Sequence, residues 1–371
     1  MADSDENAGG RAGGPRAGRP AMNWRRAVHA LFSSPGNALL TLLALAVLWW
    51  IAVPLIRFAL VDAVWRGGVE ACRKPGVGAC WPFIEAHIGQ FIYGGYPLAA
   101  RWRVDAALLI GAGLLLPLLW RRVPAKRLNA VLLLAGFPVI AFVLLRGGML
   151  GLASVEPELW GGLMLTLIVA ATGITLAVPI GVLLALARQS ELPVLRVLAS
   201  LFIETWRGVP LITVLFMASV MLPLFLPEGS RIERLYGALV GVAMFAGAYM
   251  AEVIRGGLAA VPRGQVQAAA ALGMPRRTAL VYVVLPQALR HAIPGMVNSS
   301  VGLLKDTTLV LTIGLFDLLG IVQRSFTNAA WASPVTASTG YLFVGLVFWV
   351  LCFSLSRYAL GVERRLARGR F

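Results

Sequence analysis

Charge is scarce in this 371-residue chain. Only 13% of its residues are Asp, Glu, Lys or Arg, where a soluble domain carries about a quarter. Acidic side chains are the rarer sign: 17 Asp and Glu stand against 33 Lys and Arg, for a formal net charge of +16. Lysine is reduced to Lys74, Lys126 and Lys305, and none follows a glycine. The chain therefore has no Gly-x-x-x-x-Gly-Lys-Ser/Thr loop to cradle ATP phosphates. His29, His87 and His291 lie in separate segments, with no metal-ligand spacing among them. Gly-x-Ser-x-Gly and His-Glu-x-x-His are missing too, which argues against the commonest hydrolases. Three cysteines divide into a pair, Cys72 and Cys80, in one polar stretch, and Cys352 in an apolar run, where it reads as a small buried side chain.

What fills the chain instead is apolar. Hydrophobic residues make up 58% of it and its mean hydropathy is +0.78. A membrane-crossing helix needs about 20 apolar residues. Eight runs qualify: 37–61, 104–120, 128–146, 161–187, 198–225, 235–255, 291–316 and 340–361. The fold class is all-α, a polytopic transmembrane helical bundle. Residues 1–36, rich in Gly, Ala, Arg and Pro, read as a disordered cytoplasmic tail. The run at 37–61 exceeds the roughly 7–15 residues of a signal-peptide core, so it reads as a retained first span.

With the N-terminus in the cytoplasm, most Lys and Arg fall on the cytoplasmic side, as the positive-inside rule requires. The basic balance is then topological and does not call for nucleic acid. Both termini and the 256–290 loop become cytoplasmic. The loop over about 62–103 lies outside, where a Cys72–Cys80 disulfide can persist; two free thiols are the alternative.

The stretch from Ala248 to Leu311 organises the chain. It contains Ala251-Glu252-Val253-Ile254-Arg255-Gly256-Gly257, Gly264-Gln265 and Gln267-Ala268-Ala269 with Gly273. Leu285-Pro286-Gln287-Ala288 and Leu304-Lys305-Asp306-Thr307 come after them. Its polar middle, Arg255 to Arg290, cannot cross a bilayer, yet apolar spans flank it. The local signals predict two short helices. Pro262 suits a first turn and Gly273 a C′ position; Pro275 opens the second helix and Pro286 breaks or kinks the segment after it. Ala268 to Ala271 offer a smooth face for docking into a partner's groove.

This stretch resembles the cytoplasmic EAA loop of ABC-importer membrane subunits, with Gln267 where the family has Glu. The flanking blocks, with Arg207-Gly208-Val209-Pro210-Leu211 and Leu222-Pro223-Leu224-Phe225, resemble its polar amino-acid branch. The extended architecture is similar to the larger permease of general L-amino-acid importers. The resemblance implies a five-span permease core over 147–371, preceded by a three-span extension over 37–146. It implies a bacterial inner-membrane subunit that is not itself an enzyme and carries no cofactor, ATP and Mg being bound by a partner ATPase. The implied partners are two ATP-binding subunits, a second permease and a periplasmic amino-acid-binding protein. Contact with the ATPase is expected at Gly264, Gln267, Ala268, Ala269, Leu272 and Gly273. ATP closure would drag this helix and rock spans five to seven around a midplane site.

Lys305, Asp306, Thr307 and Thr308 fall about four turns into the seventh span. Polar groups there face an interior or a cavity. They line a translocation path that meets an amino acid's charged ends, or they tie neighbouring helices together. Glu252 and Arg255 share a helix face three residues apart, as do Glu204 and Arg207; both pairs read as gating or structural elements. An ion-coupled secondary transporter is the main rival, but it has no use for a coupling loop. An intramembrane enzyme needs a catalytic pair at matched depth, which is not evident.

Overall fold

The computed structural model describes residues 28–29, 31–119, 126–225, 227 and 233–367. Of the tail read over 1–36, residues 1–27 and 30 lie outside the described ones. The chain divides into two compact units, Met1–Asp62 and Ala63–Phe371. Among the described residues there is no strand, only isolated bridges such as Val64–Cys80 and Gly162–Asp317.

The first unit is built on one helix, Pro35–Ile56, closed by a π-helical turn at Arg57–Val61. Its start comes from two local choices: Pro35 at the first turn, where its missing N–H costs nothing, and Ser34, whose Oγ accepts the Asn37 N–H at 3.2 Å. None of its residues is buried. An all-round apolar surface of this length is what a lipid-facing span presents.

The second unit begins with a braced loop. Cys72 and Cys80 are disulfide-bonded, with Cα atoms 5.6 Å apart. The Trp81–Tyr93 helix next in the chain buries Phe83 and Phe91, and the Phe91 ring lies 5.7 Å from Phe343. The Cys80 N–H donates to the buried Thr339 Oγ at 2.9 Å, and Arg73 donates to the Ala332 and Ala329 carbonyls. This loop is thus sewn to the 329–343 segment. Arg101–Leu119 and Phe137–Arg146 complete the extension. Its last residue, Arg146, meets Glu233 at 3.0 Å, just before the helix Arg234–Ala259.

The core is a packed set of long helices. Gly162–Arg188 and Arg234–Ala259 lie side by side. The second buries mostly small residues, among them Gly237, Ala238, Gly241, Ala243, Ala246, Gly247, Ala248 and Ala251. Bilayer helices have little hydrophobic drive to associate, so they depend on such close backbone approach. A Cβ added to Gly181 would lie 2.8 Å from Met250 Cβ. Leu285–Asp306 packs on both helices, and Thr336–Ala367 packs on it.

Six helices among the described residues are long and apolar enough to cross a membrane, seven if one bent pair counts as a span. The sequence alone offers eight runs. Arg101–Leu119, the second of them, is not among the six, and the residues directly after Leu119 lie outside the described ones. Two expectations are corrected. The fifth span, continuous over 198–225 in the sequence pattern, is broken: Pro193–Gly208 and Leu211–Phe225 meet at 105°. The cause is Pro210, which forces the residue before it out of the helical region; Val209 sits at φ −104, ψ 136. The second is Pro286, which does not break the segment after it: the helix that carries the seventh span is already formed well before 291. Helical structure runs from Arg276 to Ile313, because Pro286 falls in the opening turn of Leu285–Asp306, directly after a π-helical turn at Leu280–Val284.

Candidate functional site

Three constellations lie along the core. The first is the knob over 262–279. Pro262 caps the helix Arg263–Ala271. Gly273 then takes φ 73, a left-handed conformation that costs a residue with Cβ about 1 kcal/mol or more. The Met274 N–H donates to the Ala269 carbonyl at 3.1 Å and the Gly273 N–H to the Ala270 carbonyl at 2.9 Å. This double closure satisfies the last carbonyls of the helix. Pro275 then opens Arg276–Ala279. The side chains do not all point to one face. Ala269 is 4% exposed and so is packed within the chain, whereas Leu272 is 82% exposed. Gly264, Gln267 and Ala268 are exposed as well. Ala269 therefore does not belong to a smooth outer face, a correction: the Arg263–Ala271 helix packs against the Leu280–Val284 turn, and Ala269 is its one buried residue.

The second constellation is a charged lattice next to the knob. Spacing along the helices pairs Glu204 with Arg207 and Glu252 with Arg255, as two separate local pairs. Glu252 does bind Arg255, at 2.8 Å, but Glu204 turns instead to Arg188, at 3.0 Å. Arg188 also reaches Glu252 at 2.5 Å, and Arg207 approaches Glu252 at 4.0 Å. Three helices are thereby joined by one set of charges. Arg188, which sequence reasoning passes over, is its hub. The signal for it is a lone cation in the last turn of an otherwise uncharged span. Beside the lattice, Arg276 of the knob pairs with Glu191.

The third constellation is a cavity of about 250 Å³. Ile174, Phe245, Tyr249, Ser299, Leu303 and Asp306 contribute to its wall. Of the four polar residues expected on a path, Asp306 alone lines it. Lys305 is exposed. Thr307 is buried and donates to the Leu304 carbonyl, and Thr308 donates to the Lys305 carbonyl, so both hydroxyls serve their own helix. Both open the 3₁₀ segment Thr307–Ile313. The four lie at the end of the Leu285–Asp306 helix and the start of the 3₁₀ segment after it.

At the opposite end of the core, Asp317 caps Leu318–Ser325, accepting the Gly320 N–H at 2.9 Å. It is fully buried, its Oδ2 has no hydrogen-bond partner among the described residues, and burial pushes its carboxyl up to about 6.

Residues 177–368 match the family of binding-protein-dependent transport system inner membrane components. Over 94% of its length the chain is 48% identical to an inner membrane amino-acid ABC transporter permease of Escherichia coli, YhdY, covering 94% of that protein. The chain belongs to this permease family. The permease subunit is also 36% identical to a glutamate/glutamine/aspartate/asparagine transport system permease of Rhodobacter capsulatus, BztC, over 94% of both chains. A shorter relative, the probable amino-acid permease YxeN of Bacillus subtilis, is 35% identical and aligns over 94% of its own length but 58% of this one. Among solved structures, an amino acid ABC transporter with histidines is 30% identical, covers 55% of this chain and 92% of its own, with a TM-score of 0.49. The knob, the lattice and all of the cavity wall but Ile174 fall inside the matched 177–368 stretch of the permease subunit. It is a membrane-spanning transport component of an ABC importer, in which a separate subunit hydrolyses ATP.

Proposed function

We propose that this permease subunit imports L-amino acids, with substrate passing through the cavity beside Asp306. The observation that carries this is the 48% identity to an amino-acid permease along nearly the whole of both chains. The cavity is compatible with it: an apolar wall holding one carboxylate suits an ammonium on a small body. The 262–279 knob is the seat of the ATP-binding subunits, which hold ATP and Mg. Exposed Leu272, Gln267, Ala268 and Gly264 meet the groove, while Ala269 and Gly273 hold the knob in shape. Both termini and the knob are cytoplasmic in this reading, supported by the asymmetry of Lys and Arg. The Cys72–Cys80 loop then faces the oxidising side. The core over 147–371 works with a second permease and a periplasmic amino-acid-binding protein, and residues 37–146 extend it.

The test is to purify the complex in mild detergent, identify the chains that accompany this one, and reconstitute it in liposomes. ATP-dependent uptake of a labelled L-amino acid is expected. Uptake driven by an ion gradient with no ATP-binding chain present would overturn the reading.

A further inference from the structure

An amino acid brings two opposite charges, and the cavity answers only one. Its wall carries the Asp306 carboxylate and no cationic side chain. Lys305 does not supply one: it is Asp306's neighbour on the helix, about 100° around the axis, and it is exposed rather than on the wall. The guanidinium next to the wall is that of Arg207, which lies 5.4 Å from the centroid of the Tyr249 ring, a ring that lines the cavity.

Arg207 is also the loosest member of the charged lattice. The lattice sets three guanidiniums, Arg188, Arg207 and Arg255, against two carboxylates, Glu204 and Glu252. Arg188 holds Glu204 and Glu252 at 3.0 and 2.5 Å and Arg255 holds Glu252 at 2.8 Å, while Arg207 stands 4.0 Å from Glu252 and is 40% exposed. Among the described residues the lattice holds one more guanidinium than carboxylates, and Arg207 is the one held least closely.

We infer that Arg207 is the specificity-determining residue for the substrate's carboxylate, receiving it at the lattice end of the cavity while Asp306 faces the ammonium. A planar guanidinium suits this task, because it can bind a carboxylate with two parallel hydrogen bonds and stack on an aromatic ring at the same time. The inference rests on the cavity being the substrate site, as proposed above.

The experiment compares an acid with its amide, which differ only in the group Arg207 would read. Detergent-purified complexes of the permease subunit with its accompanying chains, free of binding protein, are titrated by equilibrium dialysis with labelled L-glutamine and L-glutaminamide. Wild type should prefer the acid. Arg207→Gln should weaken L-glutamine binding about ten- to a hundredfold, the range for a hydrogen bond between charged groups, and leave the amide unchanged. Arg207→Lys should keep part of the preference, as a charge without the fork. An intact preference in Arg207→Gln, or its collapse in Lys305→Gln instead, overturns the inference. So does equal loss of acid and amide in Arg207→Gln with loss of the accompanying chains, since that is a structural role. The cavity reading is checked separately by Asp306→Asn, which should weaken acid and amide alike because both carry the ammonium. No effect there removes the cavity, whatever Arg207 does.

Discussion

Replacing Gly273 isolates a backbone conformation from everything else in the knob. Gly273 holds φ 73, and an added Cβ meets nothing within 4 Å. The cost of a side chain is therefore conformational, with no clash to relieve. Alanine at a left-handed position costs about 1 kcal/mol. A β-branched valine is worse, about 2 kcal/mol, because its crowded Cβ conflicts with that region. Asparagine tolerates the region, so its cost is a fraction of that. At 1.4 kcal/mol per tenfold, valine should shift the balance between the closed turn and an unwound one about thirtyfold and alanine about fivefold. The bonds at risk are those from Met274 N–H to Ala269 and from Gly273 N–H to Ala270, which fix where Leu272 is presented. Coupling should fall in the order Gly, Asn, Ala, Val. The assay is substrate-stimulated ATPase activity and uptake in reconstituted complexes, with membrane insertion as the control. Equal coupling for glycine and valine, or an asparagine variant as poor as valine, would refute the reasoning.

Leu272→Glu should leave the permease subunit's own thermal stability unchanged, because the side chain is 82% exposed. It should weaken association with ATP-binding chains about tenfold or more, the worth of one buried leucine, read by titrated co-purification. Cys72→Ser with Cys80→Ser opens a loop of sequence separation 8. That should cost about 2.5 kcal/mol on the chain-entropy estimate, seen as a lower melting temperature that reductant no longer changes. The Asp317 carboxyl is raised in the folded state to about 6 from its ordinary 3.8, so the folded state holds the proton more tightly than the unfolded one. Its contribution is full below about pH 4 and is lost as pH rises through about 6, by about 3 kcal/mol in all. Asp317→Asn should keep the helix cap and flatten that part of the pH–stability profile, measured by thermal melts across pH 4–8.

Gly273 was legible in the sequence because glycine between two proline-marked helix starts has few other uses. The small residues of Arg234–Ala259 were legible as packing for the same kind of reason. The Glu204–Arg207 partnership was not: spacing along one helix identifies a shared face, but which charge answers Glu204 depended on Arg188, distant in sequence. Likewise Ala268 and Ala269 are indistinguishable as letters. Only the packing of the Arg263–Ala271 helix on the rest of the chain decides that one is exposed and the other buried. Pro286 misled because proline's effect depends on its place in a helix, and a π-helical turn just before it made that place a beginning.

The unbroken helical course from Arg276 to Ile313 makes the knob and the cavity two ends of one lever. From Arg276 to Asp306 it measures about 45 Å at 1.5 Å per residue. A tilt of about 5° about either end displaces the other by about 4 Å, under three-quarters of a helical pitch of about 5.4 Å. Were motion delivered beside Leu272, as the proposed docking of an ATP-binding subunit requires, this helix would carry it to Asp306 without any residue between them changing its neighbours along the chain. Its stroke is set by where the pivot falls, and the π-helical turn at Leu280–Val284 and the proline at 294 are the two places where this lever can give.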